Sequence, residues 1–151
     1  MAGSRSLRAG AILDWLDEQV PPELALIPRS GEDRRHALHI CALATGLADK
    51  AVSFIYSRLF HGQTSDAWDA RCQTQIHDVL VVLERECGEY WWGGAAIGHA
   101  DIAVACTLRF LGEAHPGLFD VATYPALAAH CGRCEAMKAF SSVVQPFSPP
   151  S

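Results

Sequence analysis

Apolar residues recur at helical spacing along most of this chain, and two long runs of that kind stand only a few residues apart. From residue 33 to residue 59, Ala37, Cys41, Ala44, Ala48, Ala51, Ile55 and Leu59 follow one another in steps of three and four. That spacing lays them along one stripe of a single long helix. Ser30, with Asp33 three residues on, supplies a cap, and Pro28 separates the helix from what precedes it. From residue 65 to residue 87, Trp68, Cys72, Ile76, Val79, Leu80, Leu83 and Cys87 repeat the pattern. Only the turn at 62–65 lies between the two runs. A connection that short predicts an antiparallel hairpin of two helices, each roughly 35–40 Å long at ~1.5 Å per residue. One half of a helical bundle is thereby specified.

The remaining segments complete it. Trp91, Trp92, Gly93 and Gly94 break the helical pattern, and a third helix opens near His99. Ile102, Ala103, Val104, Ala105, Cys106 and Leu108 make it apolar on nearly every side, which predicts a central helix enclosed by the others. Its start is read as a cap: Gly98 at the N-cap, Asp101 three residues on to accept from the Gly98 N–H, and Ile97 stapled onto Ile102. Gly in place of a Ser or Thr cap costs only a few tenths of a kcal/mol. A loop with Pro116 and Gly117 leads to a fourth helix over 125–136, and a short fifth over 138–144 ends before Pro146. Residues 10–20 form a short amphipathic helix carrying Ile12, Leu13, Trp15 and Leu16, stopped by Pro21 and Pro22. No strand and no internal repeat is read. The fold class is all-α: a bundle of about five helices plus a short N-terminal helix.

Composition narrows the function. A chain of 151 residues suits one domain, and 50% hydrophobic with 19% charged residues argues for a packed core rather than disorder. The net charge of -5, with Arg34 and Arg35 offset by Glu32 and Asp33, argues against nucleic acid as a partner. Charged residues interrupt every apolar stretch before the ~20 positions a membrane helix needs. Despite Arg5 and Arg8, Asp14, Asp17 and Glu18 fall where a signal peptide keeps its apolar segment. The chain reads as cytoplasmic, and its six cysteines as free thiols.

Few residues point to chemistry. Cys131-Gly132-Arg133-Cys134 is a C-x-x-C, the spacing of redox pairs, but both cysteines continue the Leu127 stripe inside a helix, where packing explains them. His36 and His39 stand one turn apart without the further ligands a metal site needs, so no metal is expected. Asp101 reads as a capping residue rather than a catalytic acid. There is no nucleophile elbow, P-loop or dinucleotide fingerprint.

The order of motifs resembles the C-terminal all-helical domain of bacterial cytosolic glutathione S-transferases. The resemblance is carried by Ala11-Ile12-Leu13-Asp14-Trp15-Leu16-Asp17-Glu18, Leu26-Ile27-Pro28 and Arg34-Arg35-His36-Ala37-Leu38. It continues through Ala44-Thr45-Gly46-Leu47-Ala48-Asp49-Lys50-Ala51-Val52, Ala100-Asp101-Ile102-Ala103-Val104-Ala105-Cys106 and Tyr124-Pro125-Ala126-Leu127-Ala128-Ala129-His130. It closes near Phe140. Where the family has Ser/Thr-x-x-Asp at the central helix, this chain has Gly98 and Asp101. The resemblance implies that residues 1–28 hold the last helix of a thioredoxin-like domain and a linker, 29–147 the helical domain and 148–151 a tail. The rest of the thioredoxin-like domain, which supplies the Ser, Tyr or Cys that activates glutathione, is missing from the pattern. The acidic residue and Ser that hold the glutamyl group align with Arg8 and Ala9.

Two functions are therefore weighed. By resemblance, glutathione is the co-substrate, its thiol conjugating to a hydrophobic electrophile, with this chain alone not catalytic. The electrophile would lie near Asp49, Lys50, Ser53 and Tyr56. The alternative is a non-catalytic helical module that binds an apolar small molecule or a protein partner. Helical domains of this family pack one apolar side against the thioredoxin-like domain, which predicts exposed surface on the long and central helices. Self-association as a twofold homodimer would cover it. Sedimentation at micromolar concentration should show a dimer; a stable monomer would count against it.

Overall fold

The computed structural model describes residues 9–60 and 65–149. The turn placed at 62–65 lies outside them except for Ser65, as do Arg5, Arg8 and the last two residues of the tail. Among the described residues there are six α-helices: α1 (Ala9–Glu18), α2 (Gly31–Phe60), α3 (Asp66–Glu86), α4 (His99–Ala114), α5 (Pro125–Glu135) and α6 (Lys138–Ser141). A 3-10 turn, Pro22–Leu24, follows α1, set off by Pro21 and Pro22. Among the described residues there is no strand, and a single bridge joins Trp91 and Gly94 in the loop before α4.

Helices α2 and α3 have 30 and 21 residues, about 45 and 32 Å at ~1.5 Å per residue. Helix α4 packs chiefly on α2, with α3 against α2 and α5 against α4. Thr107 donates to the Ala44 carbonyl at 3.2 Å and His115 Nε2 meets the Ala51 carbonyl at 2.8 Å. Later residues of α4 thus meet later residues of α2, and the two helices run parallel.

The buried stripe of α2 differs from the one read by spacing. It consists of Ala37, Ile40, Ala44, Leu47, Ala51 and Phe54, whereas Cys41, Ala48 and Ile55 are half-buried and Leu59 is exposed. Both stripes share the alanines at 37, 44 and 51, and the large residues decide between them: Ile40, Leu47 and Phe54 bury far more apolar area than Cys41 and Ala48. Small and large residues alternate along this seam. The alanines expose the α2 carbonyls that Thr107 and His115 reach, and Phe54 stacks on the His115 ring at 4.9 Å. In α3, Cys72, Ile76, Leu80 and Leu83 are buried as the spacing predicts, Val79 and Cys87 are half-buried, and Trp68 is exposed.

The helix ends follow local chemistry. Ser65 caps α3, its hydroxyl accepting from Trp68 N at 3.2 Å. Ser30 makes no such bond: Gly31, at φ 88°, turns the chain in ahead of the first helical turn. Helix α5 opens on Pro125 behind Tyr124, which gives no side-chain cap. Both carboxyl oxygens of Glu84 reach across from α3 instead, accepting from Ala126 N at 2.8 Å and Leu127 N at 2.9 Å. Helix α6 ends at Ser141, shorter than the 138–144 expectation, because Val143 and Val144 find no core and remain exposed. Phe147 then returns to the bundle, its N donating to Glu113 at 2.6 Å and its ring set edge-on to Phe110.

By length and mean composition α2 also passes the test for a membrane-crossing helix. Within Gly31–Leu59 an 18-residue window reaches a mean hydropathy of 1.4, although charged residues interrupt the apolar run. Its most apolar stripe is the core seam just described.

The central helix is enclosed on only one side. Ala100, Asp101, Val104, Ala105, Leu108 and Leu111 are buried, but Ile102 and Ala103 are half-buried and Cys106 is exposed. At its start the Leu26 carbonyl accepts from His99 N at 2.9 Å, and a Cβ on residue 98 would stand 2.7 Å from that same oxygen. Gly98 is therefore a steric requirement of the linker, beyond its use as a cap. The Gly98→Ser variant, which a capping argument alone scores as a small gain, should instead lose about 1–3 kcal/mol by overpacking. Urea unfolding of the two proteins checks this.

Candidate functional site

The open side of α4 is one wall of a groove of about 270 Å³. Ile102, Ala103 and Cys106 of α4 face Leu38, Cys41 and Thr45 of α2. The linker adds Leu26 and Ile27, and α1 closes the remaining side with Ala9, Gly10, Leu13 and Asp14. The surface is mostly hydrocarbon and thiol, with Asp14, Thr45 and His99 as polar points: the composition of a site for an apolar molecule.

Polar contacts hold its outer wall. Asp17 is the buried residue of α1; its Oδ2 lies 2.7 Å from His99 Nε2, and its Oδ1 accepts from Leu26 N at 3.0 Å. Both side chains of that pair are 10% exposed. Arg34 Nη2 of α2 donates to Asp14 at 2.7 Å. Arg29 donates to the carbonyls of Asp17 at 3.1 Å and Val20 at 2.7 Å, satisfying acceptors at the end of α1. None of these five side chains was singled out from sequence as a site residue. One signal was present: Asp17 lies four residues after Leu13, on the face α1 turns inward, where a charge needs a partner.

The four residues suggested by resemblance separate. At ~100° per residue, Asp49, Ser53 and Tyr56 share the α2 face that carries Leu38 and Thr45, further along the helix. Asp49 and Ser53 are exposed there, the Ser53 hydroxyl donating to the Asp49 carbonyl at 2.8 Å. Lys50 points elsewhere, its Nζ 5.7 Å from the centre of the Trp68 ring of α3.

Asp101 is fully buried, its Oδ2 accepting from Gly98 N at 2.8 Å and its Oδ1 from Trp92 N at 3.1 Å. Both oxygens are occupied by backbone. Ile97 and Ile102, the pair read as a staple, are half-buried. His130 of α5 is also fully buried: its Nε2 donates to the Asp101 carbonyl at 3.3 Å, and the edges of Trp91 and Trp92 enclose it. Burial holds its pKa below the ordinary histidine value, the nearby Asp101 only partly offsetting this.

All six cysteines are free thiols. Burial pushes Cys131 and Cys134 up to about 12 and Cys87 to about 11, and raises Cys41 and Cys106 as well. At neutral pH the C-x-x-C is protonated and packed in α5, which leaves the redox reading without a thiolate. His36 and His39 are exposed, and among the described residues no group of three His, Cys, Asp or Glu side chains is placed to hold a metal ion.

This arrangement is the helical half of a known architecture. Residues 66–133 match the family described as glutathione S-transferase, C-terminal domain. A glutathione S-transferase from Methylobacterium radiotolerans, solved with glutathione sulfonate, is 26% identical at a TM-score of 0.86, over 96% of this chain and 69% of its own. A transferase family member from Pseudomonas fluorescens Pf-5, with bound S-(propanoic acid)-glutathione, is 28% identical at 0.81, over 97% and 74%. Maleylpyruvate isomerase from Pseudomonas aeruginosa PAO1 is 26% identical at 0.71, over 92% and 74%. No curated protein matches in sequence. The chain has the all-helical fold of a glutathione S-transferase C-terminal domain, and the family match itself covers residues 66–133.

The buried histidine makes stability depend on pH. Below about pH 6.5 the unfolded chain takes up a proton that the folded His130 ring refuses, so acidification lowers stability. Between pH 7 and pH 5 the Tm should fall, and fall less in His130→Gln. An equal fall in both proteins would show that His130 is not the group responsible.

Proposed function

We propose that the chain supplies the hydrophobic-ligand half of glutathione transferase chemistry in the cytoplasm. The groove between α1, α2 and α4 takes an apolar electrophile, and a thioredoxin-like domain supplies and activates the glutathione thiol. In that reaction the thiolate sulfur forms a bond to an electrophilic carbon, and the leaving group departs with the electron pair of the broken bond. The observation that carries the reading is the groove itself, a mostly apolar channel on the open side of the central helix. Support for glutathione comes from the neighbours solved with glutathione or its derivatives. Support for the chain's being non-catalytic alone comes from the groove's own thiols, Cys41 and Cys106, which burial pushes above the ordinary value and away from the reactive thiolate.

In this reading residues 29–147 form the helical domain and α1 with its linker docks on it. Asp49, Ser53 and Tyr56 extend the groove's α2 face toward the far end of a longer ligand; Lys50 does not take part. The apolar side chains that α2 leaves in water beyond the groove, Val52 and Leu59, belong to the surface through which two copies pair.

An environment-sensitive apolar dye should bind the chain saturably. Leu38→Gln, a change at an exposed groove position, should weaken it about tenfold or more. The chain with glutathione and a chlorodinitrobenzene-type electrophile should show no turnover. Binding unaffected by Leu38→Gln would remove the groove as the site, and turnover by the chain alone would overturn the division of labour.

A further inference from the structure

We infer that the pair Asp17 and His99 decides which apolar molecules the groove accepts: those that carry a hydroxyl or an N–H, whose proton His99 Nδ1 receives. This names the ligand class of the groove proposed above and rests on that reading.

Three polar side chains line the groove, and two are already engaged. Thr45 donates its hydroxyl to the Cys41 carbonyl of its own helix at 2.8 Å, and Asp14, 48% exposed, pairs with Arg34. His99 differs from both. It opens α4, its side chain is only 10% exposed, and its Nε2 is held by Asp17 Oδ2 at 2.7 Å. The other oxygen of Asp17 accepts from Leu26 N at 3.0 Å. A carboxylate that accepts on both oxygens requires a donor at Nε2, so Nε2 carries the ring proton and Nδ1 keeps its lone pair.

That lone pair is open to a ligand. Among the described residues nothing meets Nδ1, and the atom is not one of the unpaired polar atoms sealed from solvent. The cavity that His99 lines is the groove. Both bonds of Asp17 lie on the inner side of α1, against α4 and the linker, so they do not depend on what covers its outer side. The walls around His99 are mostly hydrocarbon and thiol, where one fixed acceptor discriminates sharply. A ligand with a donor satisfies it, and an isostere without one leaves it unpaired. The preferred electrophile is therefore an apolar molecule with a single donor at one end.

1-Naphthol and 1-methoxynaphthalene test this, since they share the ring system and differ in the O–H. By tryptophan-fluorescence titration the unmodified chain should bind naphthol about three- to tenfold more tightly, the range for one hydrogen bond. Nitrogen-15 NMR of the same protein should show His99 as the Nε2–H tautomer, with the Nδ1 resonance moving when naphthol binds and not when methoxynaphthalene does. In Asp17→Asn the amide oxygen can still accept from Leu26 N while the amide nitrogen donates to Nε2, which moves the ring proton to Nδ1. The preference for naphthol should then vanish.

Equal affinities in the unmodified chain, an Nδ1–H tautomer, or a preference retained in a folded Asp17→Asn protein would each overturn the inference while leaving the groove as an apolar site. If neither ligand binds, the groove reading fails and the inference fails with it. Should Asp17→Asn not fold, the tautomer and the Nδ1 shift in the unmodified chain decide.

Discussion

A single buried carboxyl group organises the middle of this domain. Asp101 binds the N–H of Gly98 with one oxygen and the N–H of Trp92 with the other, so it fixes the first turn of the central helix and the loop before it together. Burying an acid away from water is costly unless its acceptors are filled, and here backbone donors fill them from both directions. The position of the loop brings Trp91 and Trp92 edge-on to His130, and His130 in turn ties α5 to the Asp101 carbonyl. Three elements are set by one side chain. Backbone donors thus account for both oxygens of this buried acid.

The rest of the architecture depends on how closely α2 and α4 approach. Alanines at 37, 44 and 51 leave room for two side chains of α4 to reach the α2 backbone. Ile40, Leu47 and Phe54 fill the space between. The same helix, α4, therefore has one face bonded and packed and the other face bare, and the groove is the bare one. The groove lies where the core stops.

Much of this was legible from residue spacing. The helices α2, α3, α4 and α5 follow their apolar periods closely, and Asp101 stands three residues after Gly98 as a cap-pairing acid should. Helix faces were less legible, because two stripes of α2 share the same alanines and only the sizes of Ile40, Leu47 and Phe54 separate them. Contacts between segments distant in sequence were not legible at all: Glu84 capping α5, His99 meeting Asp17, and Lys50 turning to Trp68 depend on packing. Resemblance placed four residues near a ligand; three share a helix face with the groove wall, and Lys50, about a third of a turn away, does not.

The contact between the Leu26 carbonyl and Gly98 bears on how such domains exchange parts. Residue 98 has no side chain because the linker lies against it, so the linker and the cap are one unit although 72 residues separate them in the chain. The α1–linker segment cannot be traded with a relative that carries Ser or Thr at the cap unless the cap is traded too. Recombination that respects only contiguous segments would join two sound halves and still fail at one atom.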